Sequence, residues 1–309
     1  MSAMMSDQPS VTHRVVTAVL GFAQPILTTF GDQVGALIKR VPFFNDGVPR
    51  RYLTRGLGVE RAEFDGMPVY TLIPTHPTGK RVVAVHGGAY TVEIFPVHWW
   101  TYADMARETG ATVIVPIYPL APVGSADKVV PTIADLICDV IAGHGAENVS
   151  LIGDSAGGGL ALAAAQQLVI RGDPQPSSIV LVSPWLDATI GDPRSKVIND
   201  PFLTAASLAK SAKLWAGDLP GAAAHPLVSP LRGSLDGLAP VYAYTSTRDL
   251  LSPDALRLKE LADIEGADVT LVCRVGLMHG WIDFPFLPEA RAERPAIYRQ
   301  LGLIASDGR

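Results

Sequence analysis

Short apolar runs alternate with longer amphipathic segments through most of this chain, and the alternation limits the folds open to it. The run at residues 82–85, Val-Val-Ala-Val, is typical of a strand covered on both faces. Strands that alternate with helices pair in parallel through right-handed crossovers. The sequence therefore predicts an α/β fold on a mostly parallel sheet, with strands at residues 81–85, 111–117, 148–152, 178–183, 241–246 and 268–274 and helices at about 97–109, 126–142, 156–171, 253–265 and 288–301.

Two segments depart from this alternation. Residues 58–63 and 67–73 are predicted strands joined by an Asp65-Gly66 turn, so an antiparallel hairpin precedes the parallel part. Residues 186–238 interrupt the pattern as an insertion, with one or two helices predicted around 204–215. We interpret residues 1–309 as one large domain rather than two.

The apolar positions of residues 11–38 recur at intervals of three and four, which predicts an amphipathic helix pair broken near Pro25. A secretory signal would be apolar on all sides and would precede a small-residue cleavage site. A membrane span would be longer and uninterrupted. We therefore expect a cytoplasmic protein without stable membrane insertion.

Charge and cysteine content argue against several classes of function. The chain has 25 Lys and Arg against 30 Asp and Glu, a net charge of −5 without a basic block, which gives no support to nucleic-acid binding. The two cysteines, Cys138 and Cys273, form neither a disulfide framework nor a metal motif, and we expect both to be reduced. The histidines show no zinc-binding spacing. The sequence predicts neither a metal nor a cofactor.

The strongest chemical signal is a G-x-S-x-G pattern, Gly153-Asp154-Ser155-Ala156-Gly157. It follows a predicted strand and opens a predicted helix of small residues, which is the context of a nucleophile elbow. In such an elbow, a tight turn exposes a serine hydroxyl above the sheet, and glycines flank it because there is little room for side chains. A chance match is the alternative in a chain with 29 glycines. Ser155 is the candidate nucleophile.

An elbow serine requires a histidine base and a carboxylate. In an α/β-hydrolase the chain order is serine, then acid, then histidine. Asp249 follows the strand at 241–246 and His279 follows the strand at 268–274, so the three would converge on one edge of the sheet. Asp187 and Asp254 remain alternative acids. The other histidines are weaker candidates for the base because none follows the last strand.

The segment after the strand at 81–85 reads His-Gly-Gly-Ala-Tyr. An oxyanion hole needs backbone N–H groups aimed at the developing negative charge, and glycines permit that close approach. We predict that Gly87 and Gly88 supply two donors and Ala156, which follows the nucleophile, a third.

Together these motifs resemble the hormone-sensitive-lipase family of α/β-hydrolase esterases. The resemblance rests on segments in family order: HGGAY, YPLAP at 118–122, GDSAGGG at 153–159, SPW with Asp187, NDPFLT at 199–204, SPL at 229–231, RDLL at 248–251 and HGW at 279–281. It implies an α/β-hydrolase fold, with a mostly parallel eight-stranded sheet, an N-terminal hairpin and helices on both faces. It also implies a catalytic triad of Ser155, Asp249 and His279.

The resemblance further implies a helical cap, built from residues of about 1–45 and from the insertion at 186–238. Because the apolar stripe of residues 11–38 needs a partner, we expect that segment to cover the mouth of the site. Packing against the outer face of the sheet is the alternative. Ala89 stands where the family usually has a third glycine, which would alter the oxyanion hole slightly.

The expected activity is cofactor-free hydrolysis of short- to medium-chain carboxylic esters through an acyl-enzyme. Tyr90, Trp185, Phe202 and Trp215 are predicted to line the acyl pocket, with core packing as the alternative for most of them. The expected partner is a small-molecule ester, and a homodimer is left open. Amidase, lactonase and acyltransferase activities remain alternatives. A non-catalytic ligand-binding protein is a further alternative, against which the presence of His279 argues.

Overall fold

A computed structural model describes residues 8–22 and 47–305 of the chain. Its eight strands form one sheet in the order β1-β2-β4-β3-β5-β6-β7-β8. β1 and β2 form the antiparallel hairpin, β2 also pairs antiparallel with β4, and all the other neighbours are parallel. The predicted mostly parallel eight-stranded sheet is confirmed, with bounds β1 Gly58–Phe64, β2 Met67–Ile73, β3 Arg81–Val85, β4 Thr112–Pro116, β5 Val149–Asp154, β6 Ile179–Val182, β7 Val241–Ser246 and β8 Val269–Arg274.

The helices begin and end within about two residues of their predicted bounds. Residues 11–22 form α1; the predicted continuation to residue 38 lies outside the described residues. The remaining helices are α2 Pro96–Thr109, α3 Ala126–His144, α4 Ser155–Arg171, α5 Ala205–Ala216, α6 Ser252–Glu265 and α7 Pro288–Gln300. None of the described helices combines the length and the apolar character needed to cross a membrane.

Strand residues alternate between two clusters of buried side chains, one on each face of the sheet. In β3, Val83 and Val85 join the cluster that includes α3 and α4. Val82 and Ala84 join the cluster that includes α2 and α7. Successive side chains of a strand point to opposite faces, so an all-apolar strand requires helices on both sides.

The strand order brings the predicted catalytic residues to one edge of the sheet. Ser155 begins α4 directly after β5, Asp249 follows the end of β7, and His279 follows the end of β8. Because β5 to β8 are consecutive parallel neighbours, their carboxyl ends lie side by side. The insertion at 186–238 leaves the sheet from the same edge and contains α5 and three short 3₁₀ turns.

Candidate active site

The turn between β5 and α4 has the geometry of a nucleophile elbow. Ser155 has φ +52°, in the left-handed region that residues other than glycine rarely adopt. A Cβ atom at Gly153 would overlap the backbone of Gly157, and one at Gly157 would overlap the carbonyl oxygen of Val85. Glycine is therefore required on both sides of the serine, because the turn presses against its own helix and against β3.

Ser155, His279 and Asp249 form a continuous hydrogen-bonded relay. His279 Nε2 lies 2.9 Å from Ser155 Oγ, and His279 Nδ1 lies 2.9 Å from Asp249 Oδ1. Asp249 is fully buried, and the serine and the histidine are less than one-tenth exposed. This is the arrangement in which an imidazole can take the serine proton while the carboxylate fixes its tautomer.

The charges around His279 favour its protonated form. Burial alone would lower the pKa of His279, but the charge of Asp249 and its hydrogen bond, followed by the charges of Asp200 and Asp154, raise that pKa above its ordinary value. The same interactions would stabilise the imidazolium that forms when the serine proton is transferred.

The two alternative acids are engaged elsewhere. Asp187 forms an ion pair with Arg232 at 3.1 Å. Asp254 accepts hydrogen bonds from the backbone N–H groups of Leu186 (3.1 Å) and Asp187 (2.9 Å). Burial raises the pKa of Asp254 to about 7. Both residues therefore stabilise the loop after β6, and the carboxylate hydrogen-bonded to His279 is that of Asp249.

The oxyanion loop requires one correction. The Gly87 N–H donates to Asp154 Oδ1 at 2.9 Å. Contrary to the prediction, it is therefore not available to a substrate oxygen. Gly87 is a glycine for a different reason, since a Cβ there would overlap the Asp154 carboxylate. Gly88 and Ala89 both line the cavity beside Ser155, and no acceptor within residues 8–22 or 47–305 is assigned to either N–H group. Ala89 thus replaces Gly87 as a candidate donor.

Gly88 and Ala89, the two candidate donors of this loop, both have positive φ angles, +120° and +50° respectively. The family's usual third glycine would suit the second position, and alanine there carries backbone strain. The third predicted donor, Ala156, lies in the first turn of α4, where N–H groups lack helical partners.

A cavity of about 300 Å³ opens above Ser155 and His279. Its wall is mostly apolar, and one of the four predicted aromatic residues, Phe202, belongs to it. The Phe202 ring stacks over the His279 ring with centroids 6.2 Å apart. The insertion also contributes α5, so the cavity lies between the sheet edge and the inserted segment, with apolar lining from Val92, Phe95, Val97, Leu203, Leu208 and Phe284.

Tyr90, Trp185 and Trp215 do not line this cavity in the part of the chain that the structure describes. All three are at most 1% exposed. The Tyr90 ring stacks on Trp215 with centroids 4.1 Å apart and on Trp185 at 5.5 Å. Their placement differs from the prediction that they line the acyl pocket: they form a buried aromatic cluster instead.

Besides Asp154, two buried residues contact the loops of the predicted triad and carried no predicted role. His13 of α1 accepts, at Nε2, the N–H of Met278, which immediately precedes His279 (3.1 Å). Asp200 accepts the N–H of Leu250, which immediately follows Asp249 (2.8 Å). The NDPFLT segment that contains Asp200 was visible as a family motif, but nothing in its sequence indicates which backbone amide it binds.

Comparison with known proteins agrees with this geometry. Residues 82–283, more than half of the chain, match the family described as alpha/beta hydrolase fold. A triacylglycerol lipase of Mycobacterium tuberculosis is 44% identical over 251 residues, covering 81% of this chain and 52% of that protein, so the chain spans about half the length of this relative. An acetyl-hydrolase of Streptomyces hygroscopicus is 32% identical over 225 residues, covering 71% of this chain and 74% of that protein.

The same relationship appears among solved structures. The crystal structure of an esterase from the bacterial hormone-sensitive lipase family has a TM-score of 0.74 and 28% identity, covering 80% of this chain and 86% of that one. The hormone-sensitive lipase of Ictidomys tridecemlineatus is 28% identical over 143 residues, which are 44% of this chain and 19% of that protein. The resemblance read from the motifs is confirmed, and the chain belongs to the hormone-sensitive-lipase family of α/β-hydrolases.

Proposed function

We propose that the protein is a serine carboxylic-ester hydrolase that acts through an acyl-enzyme. The observation that carries this proposal is the relay from Ser155 through His279 to Asp249, which opens into an apolar cavity. The names of the relatives, a lipase and an acetyl-hydrolase, support acyl esters as the substrate class.

The reaction follows from the contacts of these three residues. Ser155 Oγ attacks the ester carbonyl while its proton passes to His279 Nε2, and the oxyanion is held by the N–H groups of Gly88, Ala89 and Ala156. His279 then gives this proton to the departing alcohol, leaving Ser155 acylated. A water molecule, deprotonated by His279, releases the acid and restores the serine. Asp249 stabilises the imidazolium in both steps.

The lining of the cavity supports neutral esters with short- to medium-length acyl chains. A volume of about 300 Å³ is at the lower end of the usual range of small-molecule sites. No Lys or Arg occurs among the described residues that line it, so nothing there would balance a negatively charged acyl group.

We also propose that the insertion at 186–238 acts as a cap over a single domain of residues 1–309. Phe202, Leu203 and Leu208 of this segment line the cavity, which supports a role in acyl-chain preference. His13 of α1 accepts a hydrogen bond from the Met278 N–H, next to His279. This contact supports the assignment of the N-terminal segment to the cap. The expected remainder of that part, residues 23–45, lies outside the described residues.

The proposal is tested with Ser155→Ala and a serine-directed organophosphonate. We expect the wild-type protein to hydrolyse p-nitrophenyl esters and to be labelled at Ser155, and the variant to lose both properties while keeping its fold. Ser207→Ala, which alters another cavity serine, is the matched control and should retain labelling. Labelling of the wild type at a different serine would refute the assignment.

Matched amides, lactones and alcohol acceptors, run beside esters with two to sixteen acyl carbons, separate the alternative activities. Faster turnover of an amide or a lactone than of every ester would refute ester hydrolysis as the main activity.

A further inference from the structure

A cluster of three titratable side chains lies beside the nucleophile and takes no part in the acyl-transfer steps. His98 of α2, Asp154 at the end of β5 and Asp283 in the turn after His279 each place a nitrogen or oxygen atom within 4.8 Å of the others. All three side chains line the catalytic cavity, and each residue is less than one-tenth exposed. Two buried carboxyl groups at this separation cannot both be ionised without a large electrostatic cost.

The hydrogen bonds of the cluster show where the negative charge lies. Asp154 accepts the Gly87 N–H at Oδ1 and lies 3.2 Å from His98 Nε2 through Oδ2. His98 Nδ1 accepts the N–H of Phe95 at 3.0 Å, so the proton of a neutral His98 is on Nε2 and points to Asp154. Asp154 therefore receives two N–H donors, the arrangement that stabilises a carboxylate.

Asp283 has the opposite surroundings. No donor among the described residues is assigned to its carboxyl group, which faces the Asp154 carboxylate instead. Its backbone is held in place, because its N–H donates to Gly280 O (2.9 Å) and its carbonyl oxygen accepts from Thr101 Oγ1 (3.1 Å). A metal ion would need the Nε2 lone pair of His98, and the Phe95 N–H at Nδ1 disfavours that tautomer. A proton on Asp283 would remove the repulsion between the two carboxyl groups and would leave the hydrogen bonds of Asp154 to Gly87 and His98 unchanged.

We propose that Asp283 is a protonated positioning residue, whose carboxyl O–H donates to Asp154 and so fixes the carboxylate that holds the oxyanion loop through the Gly87 N–H. Burial, followed by the charge of Asp154, raises the pKa of Asp283 well above its ordinary value. The inference rests on the proposed function, because the loop it positions is the one assigned to the ester oxyanion. Gly88 and Ala89 follow Gly87 directly, so a displaced Gly87 would move both candidate donors.

The other titratable groups near Asp283 do not take the place of a proton on its carboxyl group. Besides His98 and Asp154, the titratable side chains around it in the described part of the chain are Tyr102 of α2, His279 on its own loop, and Arg294 and Tyr298 of α7. Arg294 is ion-paired with Asp104 at 3.3 Å and with Glu108 at 3.0 Å. His279 is hydrogen-bonded to Ser155 and Asp249.

The test compares Asp283→Asn with Asp283→Ala. The asparagine NH₂ group can donate to Asp154 as a carboxyl O–H does, so we expect its kcat at neutral pH to stay within about 3-fold of wild type. The alanine removes the donor, and we expect kcat to fall roughly 10-fold or more with KM little changed, approaching the 10²–10³ of a lost oxyanion donor. Asp263→Asn, an exposed change on α6, is the control and should match wild type.

The alkaline side of the pH profile provides the readout that a merely structural residue would not move. Because the folded-state pKa of Asp283 is raised, the wild-type kcat should fall as pH rises through that pKa and the two carboxylates begin to repel. In Asp283→Asn this decline should disappear. If Asp283→Asn loses as much kcat as Asp283→Ala, or keeps the wild-type alkaline decline, the proposal is overturned.

An infrared measurement tests the proton without relying on turnover. The wild-type minus Asp283→Asn difference spectrum at neutral pH should contain the C=O stretch of a protonated carboxyl group, since the contribution of Asp254 cancels. Absence of that band overturns the proposal even if the enzyme is an esterase. Absence of wild-type ester hydrolysis would instead refute the proposed function and leave the infrared result to decide on Asp283.

Discussion

Replacement of Phe202 by alanine should change the acyl-chain preference more than the rate on the smallest ester. Phe202 lines the cavity and is 44% exposed, so part of its ring is open to a bound acyl chain. A phenylalanine side chain can bury roughly 200 Å², of which that exposure leaves about 90 Å² available. At about 25 cal/mol per Å², this surface contributes at most ~2 kcal/mol to binding of a long chain, or roughly 30-fold in kcat/KM.

The assay is kcat/KM for p-nitrophenyl acetate, butyrate and hexanoate. In Phe202→Ala we expect the hexanoate-to-acetate ratio to fall by up to ~30-fold, because an acetyl group is too short to cover the ring. The melting temperature should change little, since the side chain is only partly buried. Val197→Ala, an exposed position in the same inserted segment, is the matched control and should keep the wild-type ratio.

One result would refute this reasoning. The Phe202 ring also stacks over His279 at 6.2 Å, so its removal could disturb the imidazole instead of the acyl chain. In that case kcat/KM would fall by the same factor for all three esters. An equal loss would mean that Phe202 supports the His279 imidazole and does not contact the acyl chain.

Two further predictions concern the base and the aromatic core. Since neutral His279 must accept the serine proton and its pKa is raised, kcat/KM should fall as pH drops through a value above the ordinary histidine pKa of about 6.5; an acid limb below it would contradict the assigned charges. Trp215→Ala removes a fully buried indole stacked on Tyr90 and should lower stability by about 3–5 kcal/mol, measured by thermal or denaturant unfolding. An unchanged stability with an altered acyl-chain preference would return Trp215 to the substrate site.

The sheet could be predicted from the sequence because each parallel strand is short, apolar and bounded by turn residues. Local pattern is sufficient where both faces of a strand are buried, as in β3 and β6. The end of β5 was harder to predict from the sequence. The prediction stopped at Ile152, whereas the strand continues to Asp154 because Gly153 and Asp154 remain paired with Leu181 and Val182. Pairing with β6, which is distant in sequence, extends β5 past Gly153.

The placement of individual side chains was predictable where the fold fixes their position. Ser155, Asp249 and His279 each follow a parallel strand, so their convergence follows from topology. The aromatic residues had no such constraint. Tyr90, Trp215 and Phe202 are all aromatic, and the sequence does not distinguish between them. Only the packing of the folded chain determines that Tyr90 and Trp215 stack inside the core while Phe202 lines the cavity.

The oxyanion loop shows a second limit of local reasoning. Gly87 and Gly88 are indistinguishable as glycines, yet the first makes room for the Asp154 carboxylate and the second lines the cavity. The Asp154 side chain that separates their roles lies 67 residues away in sequence. A motif therefore identified the loop but not which of its amides remains open to a substrate oxygen.

The residues that sequence reasoning missed share one property: each lies in a distant element and binds a backbone N–H next to a proposed catalytic residue. His13 of α1 holds the amide before His279, Asp200 of the insertion holds the amide after Asp249, and Asp154 holds the amide before Gly88. All three are buried, where an unpaired amide would be costly. Catalysis by fixed dipoles requires loops that do not reorganise during the reaction. Loss of the His13 or the Asp154 contact should therefore lower kcat more than it raises KM, because it changes the position of the proposed catalytic groups and leaves the apolar lining of the cavity in place.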